Sequence, residues 1–433
     1  MNSPTLLTVA VSAVVAYNVY SYFFGSRPDP REPPMVSSTI PYIGHLINLA
    51  RKYSTLPVFA IKVASQTMYI VKSPALLLSI ERSSKTIQFT PFVKIAAERI
   101  AGIIGRSLDQ FDGFEKGQGL AVDEIKFTER GITLGAEAID MTMQMLDSLA
   151  NLLVIPLEDQ GKPLKLFRWT KYAVTHATSK AVYGPLNPFH DPKVEAAFWY
   201  IFPLSEYLLQ LKLTNPGTLR LMQLSSCSTL SQGIKTSKEA HGETRHTIQV
   251  AHLKQNFPLL LSIYQEILRM NSILPNIRAV TSDTLLNNEF LLRKCALVQV
   301  HRDPAIWGPT AKEWNLRRFM PTGGNDGKAN KVEGFVKPPQ SAIRTFGAAP
   351  HICPGRHFAT TEILCMATLM LMRYDIQPVG DKWSIPGVVE TIFSAISPPK
   401  EDIEVIIKER DGWHGKWGFE LGDPKLKFPL ASG

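Results

Sequence analysis

Cysteine is scarce in this chain: four residues in 433, at positions 227, 295, 353 and 365. So few thiols over such a length build no disulfide framework, and the main body is expected to face a reducing, cytosolic compartment. Low-complexity blocks are absent too, which excludes a fibrous or largely disordered protein. Basic residues exceed acidic ones by nine charges, but Lys and Arg are scattered, so the sequence offers no nucleic-acid patch. A basic balance of this kind suits an anionic membrane surface or an acidic partner protein, and plain solubility equally well. No Lys or Arg precedes position 27, and no small-x-small cleavage site follows the first apolar run, so a cleaved signal peptide is disfavoured.

What the chain does have begins with that run. Thr5 to Phe24 is almost uncharged, and about 20 residues are needed to cross a bilayer as a helix. Tyr17, Tyr20 and Tyr22 gather at its C-terminal end like an aromatic belt, and Arg27 and Arg31 follow it, which places the remainder on the cytosolic side. The expectation is an uncleaved single-pass anchor over 1–25. Residues 26–44 are proline-dense (Arg27-Pro28-Asp29-Pro30-Arg31-Glu32-Pro33-Pro34, then Pro41 and Gly44) and predict a stiff spacer. Residues 45–433, with 45% hydrophobic residues over the whole chain, suffice for a large core.

Within that body Phe59 to Val71 alternates as a β-hairpin with Ser65-Gln66 near its turn, and Leu76 to Glu81 reads as helical after Pro74. Helix-spaced runs extend from Phe92 to about Leu213; the stripe of Met141, Met145, Leu146 and Leu149 is core-forming. Asn256 to Asn271 predicts a helix with Pro258 in its first turn. On it Glu266 and Arg269 share a face and can pair, and their apolar surroundings predict burial, so the guanidinium needs a further partner. Pro321 to Pro339, rich in Gly, Asn and Lys, predicts an exposed loop. Ile396 to Ile407, with Ser397-Pro398-Pro399 and the alternating Ile403, Val405 and Ile407, predicts a C-terminal hairpin.

The stretch with the strongest chemical content is Phe346-Gly347-Ala348-Ala349-Pro350-His351-Ile352-Cys353-Pro354-Gly355-Arg356-His357-Phe358-Ala359. It is a loop broken by glycine and proline that feeds a long apolar run at helical length. A thiol just before a helix N-terminus meets free N–H groups and the positive end of the dipole, which lower its pKa and favour a thiolate. A buried thiolate suits a haem iron. An ordinary buried cysteine remains open as the other reading. Zinc held by His351, Cys353 and His357 is poorer, because no second ligand pair follows at finger spacing.

This stretch resembles the haem-binding loop of the cytochrome P450 family: Phe346, His351, Cys353, Gly355 and Ala359 match its pattern, with Ala349 where the family usually has glycine. Glu266 and Arg269 match the family's Glu-x-x-Arg, and Arg318 in Trp314-Asn315-Leu316-Arg317-Arg318-Phe319 matches the arginine that completes that triad, with Leu316 in place of the usual proline. The anchor and hinge resemble microsomal members, and the loop from Tyr183 to Pro192 with Phe198-Trp199 resembles fungal ones. The His301-Arg302-Asp303 triplet resembles a kinase catalytic loop, but no glycine-rich loop or Asp-Phe-Gly accompanies it.

The resemblance implies a mainly α fold with small β-sheets, the cytochrome P450 fold, behind an N-terminal transmembrane helix. It implies haem b with Cys353 as axial thiolate, Phe346 packed beside the sulfur, and propionates held by His351, Arg344 and Arg278. Glu266, Arg269 and Arg318 would be structural. It implies a monooxygenase in the endoplasmic reticulum membrane, taking O2, NADPH electrons through cytochrome P450 reductase, and a lipophilic substrate, with secondary-metabolite biosynthesis the expected setting. Phe89 to Ile104 and Phe393 to Ser397 would select the substrate.

The family's distal features are missing. The acid–alcohol pair of the long helix that crosses the haem is not found between Pro216 and Glu266, where only Ser225 to Thr229 and His246-Thr247-Ile248 are polar candidates; no catalytic proton relay is assigned. A shortened distal helix is therefore expected over about 217–255. The Trp-x-x-x-Arg contact is absent from Glu115 to Thr133 as well. The alternatives are a haem-thiolate isomerase or dehydratase that needs no O2 activation, and a truncated, inactive haem-binding product.

Overall fold

The computed structural model describes residues 29–36, 56–63, 66–99, 101–113, 118–133, 136–201, 230–239, 241–271, 276–299, 307–320, 345–348, 351–380, 382–384, 386–387, 399–423, 428 and 430. Its helices are α1 (Pro74–Arg82), α2 (Thr90–Arg99), α3 (Arg106–Phe111), α4 (Leu120–Thr133), α5 (Ala136–Leu152), α6 (Leu166–Tyr183), α7 (Pro192–Ile201), α8 (Val250–Asn256), α9 (Pro258–Asn271) and α10 (Arg356–Arg373). The strands are β1 (Val58–Val63), β2 (Gln66–Val71), β3 (Ile87–Gln88), β4 (Pro163–Lys165), β5 (Ile234–Lys238), β6 (Thr244–Gln249), β7 (Asn276–Val280), β8 (Thr284–Leu286), β9 (Phe290–Leu292), β10 (Cys295–Gln299), β11 (Gly347–Ala348), β12 (His351–Ile352), β13 (Tyr374–Pro378), β14 (Glu404–Glu409) and β15 (Lys416–Glu420).

The two larger hydrophobic cores among the described residues divide the work. The smaller one lies where α1 packs on the five-stranded sheet β1-β2-β10-β7-β3, and is built from Val58, Tyr69, Val71, Leu76, Ile80 and Val280. The larger one surrounds α10, whose run from Phe358 to Met372 is apolar nearly all round and so must be covered on every side. α5 and α9 pack against α10, α6 packs against α5, and the sheets β13-β14-β4 and β15-β6-β5 close the rest. Threonines 360, 361 and 368 survive in that apolar setting because each hydroxyl donates to the carbonyl four residues back, at 2.6, 2.9 and 2.8 Å. At the end of α10 the buried Tyr374 hydroxyl donates to Leu153 O (2.6 Å) and accepts from Ile155 N (3.3 Å), which ties α10 to the chain leaving α5. Asp402 reaches the start of α6, where its carboxylate accepts from the N–H groups of Phe167 (2.8 Å) and Arg168 (2.9 Å).

The hairpin expected over Phe59–Val71 forms as β1 and β2, antiparallel with Val63 opposite Gln66. The helix expected at Leu76–Glu81 lies inside α1, and Met145, Leu146 and Leu149 are fully buried in the main core. The helix expected over Asn256–Asn271 forms as α9, which starts at Pro258; Asn256 ends α8, and Phe257 between them adopts φ −119°, ψ 54°. Of the hairpin expected over Ile396–Ile407, residues 396–398 lie outside the described residues; its strand, β14, pairs with β13 and β4, with Ile407 opposite Ile376 and Val405 opposite Pro378 on the strand that leaves α10. In the region read as a shortened distal helix, residues 217–229 lie outside the described residues, and 234–249 form β5 and β6. β6 buries His246 and Ile248 alternately, a period of two that no helix shares.

The expected anchor over 1–25 and most of the 26–44 spacer lie outside the described residues. Among the described residues no helix is long and apolar enough to cross a membrane. Residues 34–36 of the spacer do not stand free: they lie along β1, with Ala60 N donating to Pro34 O (2.9 Å) and Val36 N to Ala60 O (2.8 Å), and Val36 is buried.

Beneath the larger core sits a charge cluster closed to solvent. Glu266, 0% exposed, accepts from Arg269 through Nε (2.7 Å to Oε2) and Nη2 (2.8 Å to Oε1). Arg318 Nε reaches the same carboxylate at 3.1 and 3.3 Å, and Asn315 N donates to Oε1 at 2.9 Å. Further guanidinium donors go to carbonyls, Arg269 to Ala311 O (2.7 Å) and Glu313 O (3.1 Å) and Arg318 to Thr310 O (3.0 Å) and Glu313 O (3.1 Å), and Arg318 Nη1 reaches the Thr310 hydroxyl at 3.4 Å. The Arg269 guanidinium also stacks 5.0 Å over the Trp307 ring. Two residues of α9 thereby fix the segment 310–318, which has no regular structure of its own to hold it.

Arg318→Ala takes one of two cations from the buried Glu266 carboxylate and leaves the Thr310 carbonyl without its donor, and should cost about 3–5 kcal/mol in a chemical denaturation experiment. Tyr374→Phe removes two buried hydrogen bonds while keeping the ring, and a loss of about 1–3 kcal/mol is expected in the same measurement.

Candidate functional site

The short hairpin of β11 and β12 pairs Gly347 with Ile352 and Ala348 with His351. Gly347 holds φ at 86°, a left-handed conformation that a side chain would strain. The Cys353 N–H donates to Phe346 O at 2.7 Å and closes the loop, and the half-buried Phe346 packs on the main core. Cys353 thus leaves the hairpin two residues before Gly355, the N-cap of α10.

The sulfur accepts from the backbone N–H groups of Gly355 and Arg356. Gly355 has a local reason to lack a side chain: a Cβ there would stand 3.2 Å from Ile132 Cδ1 and 4.0 Å from the Cys353 sulfur. The lowering of the Cys353 pKa expected from the helix terminus is present as these two N–H bonds and the Arg356 charge, but it is not the largest effect. Desolvation by the surrounding protein outweighs it and pushes the thiol up. Solvent nonetheless reaches the side chain, because the sulfur opens on a cavity.

That cavity, of about 420 Å³, lies between α6 and α10. Thr170, Val174, Thr178 and Val182 line it from one face of α6, at four-residue spacing, and Phe358, Glu362 and Met366 do so from α10. Its outer wall is aromatic. Tyr183, Phe189, Phe198 and Trp199 run in series with ring centroids 6.3, 5.1 and 5.1 Å apart. Glu362, 5% exposed, accepts a hydrogen bond from the Thr178 hydroxyl at 2.5 Å, and burial raises its pKa to about 7.

The residues singled out in the sequence fall into three groups. Cys353 stands at the cavity, tied through its N–H to Phe346 O. Glu266, Arg269 and Arg318 come together in the buried cluster described above. Among the candidate propionate partners, Arg278 is buried in β7 and does not line the cavity, His351 is placed by its backbone in β12, and Arg344 lies outside the described residues. Of the polar candidates for a proton relay, His246 does not line the cavity. Ser225 to Thr229 lie outside the described residues. His246 sits in β6 against both Trp413 and Trp417, with Nδ1 against Thr236 Oγ1 (3.0 Å) and Nε2 against His414 O (3.2 Å). Phe393 to Ser397 also lie outside the described residues, and the described residues between Phe89 and Ile104 do not line this cavity.

Thr178, Glu362 and the aromatic row were not anticipated. A signal for Glu362 existed: it is the one carboxylate inside the otherwise apolar run Phe358–Met372. An acid at that place either has a buried partner or a cavity to face. The sulfur with two N–H donors, its opening on an apolar cavity and the missing Cβ at Gly355 fit the thiolate side of a haem. A propionate clamp is not assembled among the described residues.

The profile of the family described as Cytochrome P450 matches residues 235–401. Cytochrome P450 monooxygenase nodJ of Hypoxylon pulicicidum is 26% identical over 523 aligned residues, covering 99% of this chain and all of that one. A cytochrome P450 monooxygenase of Gibberella zeae is 22% identical over 531, covering 98% and 97%. Both alignments are longer than the 433 residues of this chain, so both relatives carry positions that it lacks. The haem domain of cytochrome P450DA superposes with a TM-score of 0.58 at 16% identity, over 88% of this chain and 97% of that one, a likeness of fold. The matched profile, the two monooxygenases that this sequence resembles along its whole length and the shared fold agree on what the chain is similar to: the cytochrome P450 family, whose profile its residues 235–401 match.

Proposed function

We propose that the chain is a haem-thiolate monooxygenase that oxidises a lipophilic small molecule, in fungal secondary metabolism. The observation that carries this reading is the Cys353 sulfur, held by two backbone N–H groups at the start of α10 and open to an apolar cavity. When bound there, haem would supply oxygen activation, to which a thiolate contributes electron density that favours O–O cleavage. The chain's own residues do the rest. Gly355 and Arg356 N–H groups hold the sulfur in place and spread its charge. The hairpin β11–β12 and the Cys353 N–H bond to Phe346 O fix the loop that presents it. The aromatic row and the aliphatic side chains of α6 and α10 exclude water and take an apolar ligand.

His351, Arg344 and Arg278 are proposed as partners of the propionates on the strength of the family pattern, arginine being suited to bidentate carboxylate contacts. The apolar run at 5–24 and the arginines behind it support an anchor over 1–25, a spacer to 44 and a catalytic domain over 45–433 at the cytosolic face of the endoplasmic reticulum. Electrons would come from NADPH through a membrane-bound reductase.

The test is spectroscopic. Purified wild-type protein, reduced and treated with carbon monoxide, should give the absorption band of a thiolate-ligated haem, and Cys353→Ala should lose both that band and most of the bound haem. An unchanged spectrum in Cys353→Ala would remove the thiolate reading. Turnover that proceeds without NADPH and reductase would assign an isomerase or dehydratase in place of the monooxygenase.

A further inference from the structure

Glu362 is the least expected group in the cavity. It is 5% exposed, its one hydrogen bond among the described residues comes from Thr178, and no cation among them offsets its charge. The titratable groups packed nearby are neutral or directed elsewhere. Cys365, one turn along α10, is held protonated by burial with its pKa pushed up to about 12, and Lys254 of α8 acts on that thiol. Tyr264 of α9 is likewise held neutral, with its hydroxyl against Thr360 Oγ1 at 3.2 Å. From α6 the groups beside Glu362 in the cavity wall are the uncharged Thr175, Thr178 and Ser179. Buried carboxyls are ordinarily paired, so one that faces a cavity is a polar anchor without its ligand.

The aromatic row gives that anchor a chemical preference. It begins at Tyr183, little more than one turn along α6 from Thr178, and its π faces attract positive charge. Trp199 already receives one cation, the Lys171 ammonium 4.5 Å from its ring. A carboxylate and several aromatic rings around one apolar space are the combination that binds alkylammonium groups, whereas a carboxylate ligand would meet repulsion from Glu362 and a plain hydrocarbon would leave it unpaired.

We propose that the cavity between α6 and α10 takes a lipophilic cation, an apolar molecule carrying one ammonium group that pairs with Glu362 against the Tyr183–Phe189–Phe198–Trp199 wall. This names the ligand class of the site proposed above and rests on that reading for the reaction, though the binding can be measured apart from it. Glu362 titrates near neutrality, so it prefers such a cation as pH rises through about 7 and loses the preference as it protonates below.

The probe is phenylbutyl-trimethylammonium, whose charge is fixed and whose nitrogen cannot ligate a metal, compared with phenylbutanol of similar size. Calorimetric titration of the purified, haem-loaded full chain at pH 8 should show the ammonium bound on the order of tenfold more tightly than the alcohol, with the ratio collapsing towards one at pH 5.5. Glu362→Gln should abolish the difference and its pH dependence while alcohol binding is kept. Thr178→Val removes a hydrogen bond that favours the carboxylate, so the preference should persist with its midpoint moved to higher pH. An equal affinity of the two probes in the wild type, or a preference that survives Glu362→Gln, overturns the proposal. The carbon monoxide spectrum separates the two ideas. A thiolate band without ammonium preference defeats this inference alone, and a preference without the band defeats the haem reading alone.

Discussion

The carboxylate of Glu266 is the constraint on which the larger half of the structure hangs. A fully buried charge must be met from every side, and here two arginines and a backbone N–H do so at once. Because Arg269 lies on the same helix as Glu266 while Arg318 and Asn315 lie some fifty positions later, the cluster turns a local pair into a long-range tether. Carbonyls of residues 310–313 complete the guanidinium shells, so the segment before Phe319 is folded by charge satisfaction instead of by helix or sheet. Ser262 adds one more tie, accepting from Phe319 N at 3.0 Å.

α10 is the second organising member, and its two ends do different things. The N-terminal end presents Cys353 and Gly355 to a cavity, where backbone geometry sets the chemistry. The C-terminal end passes without a loop into β13, and Tyr374 there locks onto the exit of α5. The Cys353 loop is therefore seated on an element that the core covers nearly all round, which is how a hairpin of two-residue strands can hold one sulfur in a fixed place.

Much of this was legible in the sequence where the chemistry is local. The Cys353 loop, the Glu266–Arg269 pair and the β1–β2 hairpin each declare themselves within a few residues, by glycine and proline placement, by three-residue spacing or by alternation. What was not legible depends on partners far along the chain. Ile403, Val405 and Ile407 announce a strand but not that it would pair with β13 and β4 across distances of about thirty and two hundred and forty positions. His246 and Ile248 announce alternation only weakly among polar neighbours, so the strands β5 and β6 were not read from the sequence. Glu362 was hidden by its own surroundings, one acid in a run whose apolar character was the stronger signal, and Thr178 carries no meaning until α6 lies beside α10.

The contact of residues 34–36 with β1 has a mechanical side. Its two backbone hydrogen bonds, Ala60 N to Pro34 O and Val36 N to Ala60 O, converge on one residue of β1 and lie across the strand direction. Tension entering the body from its N-terminal side would load them together, in shear, and pass through Ala60 into the hydrogen-bonded ladder between β1 and β2. Peeling would break them one after the other at far lower force. The direction of pull, and not only its size, would decide whether the five-stranded sheet feels a load at all.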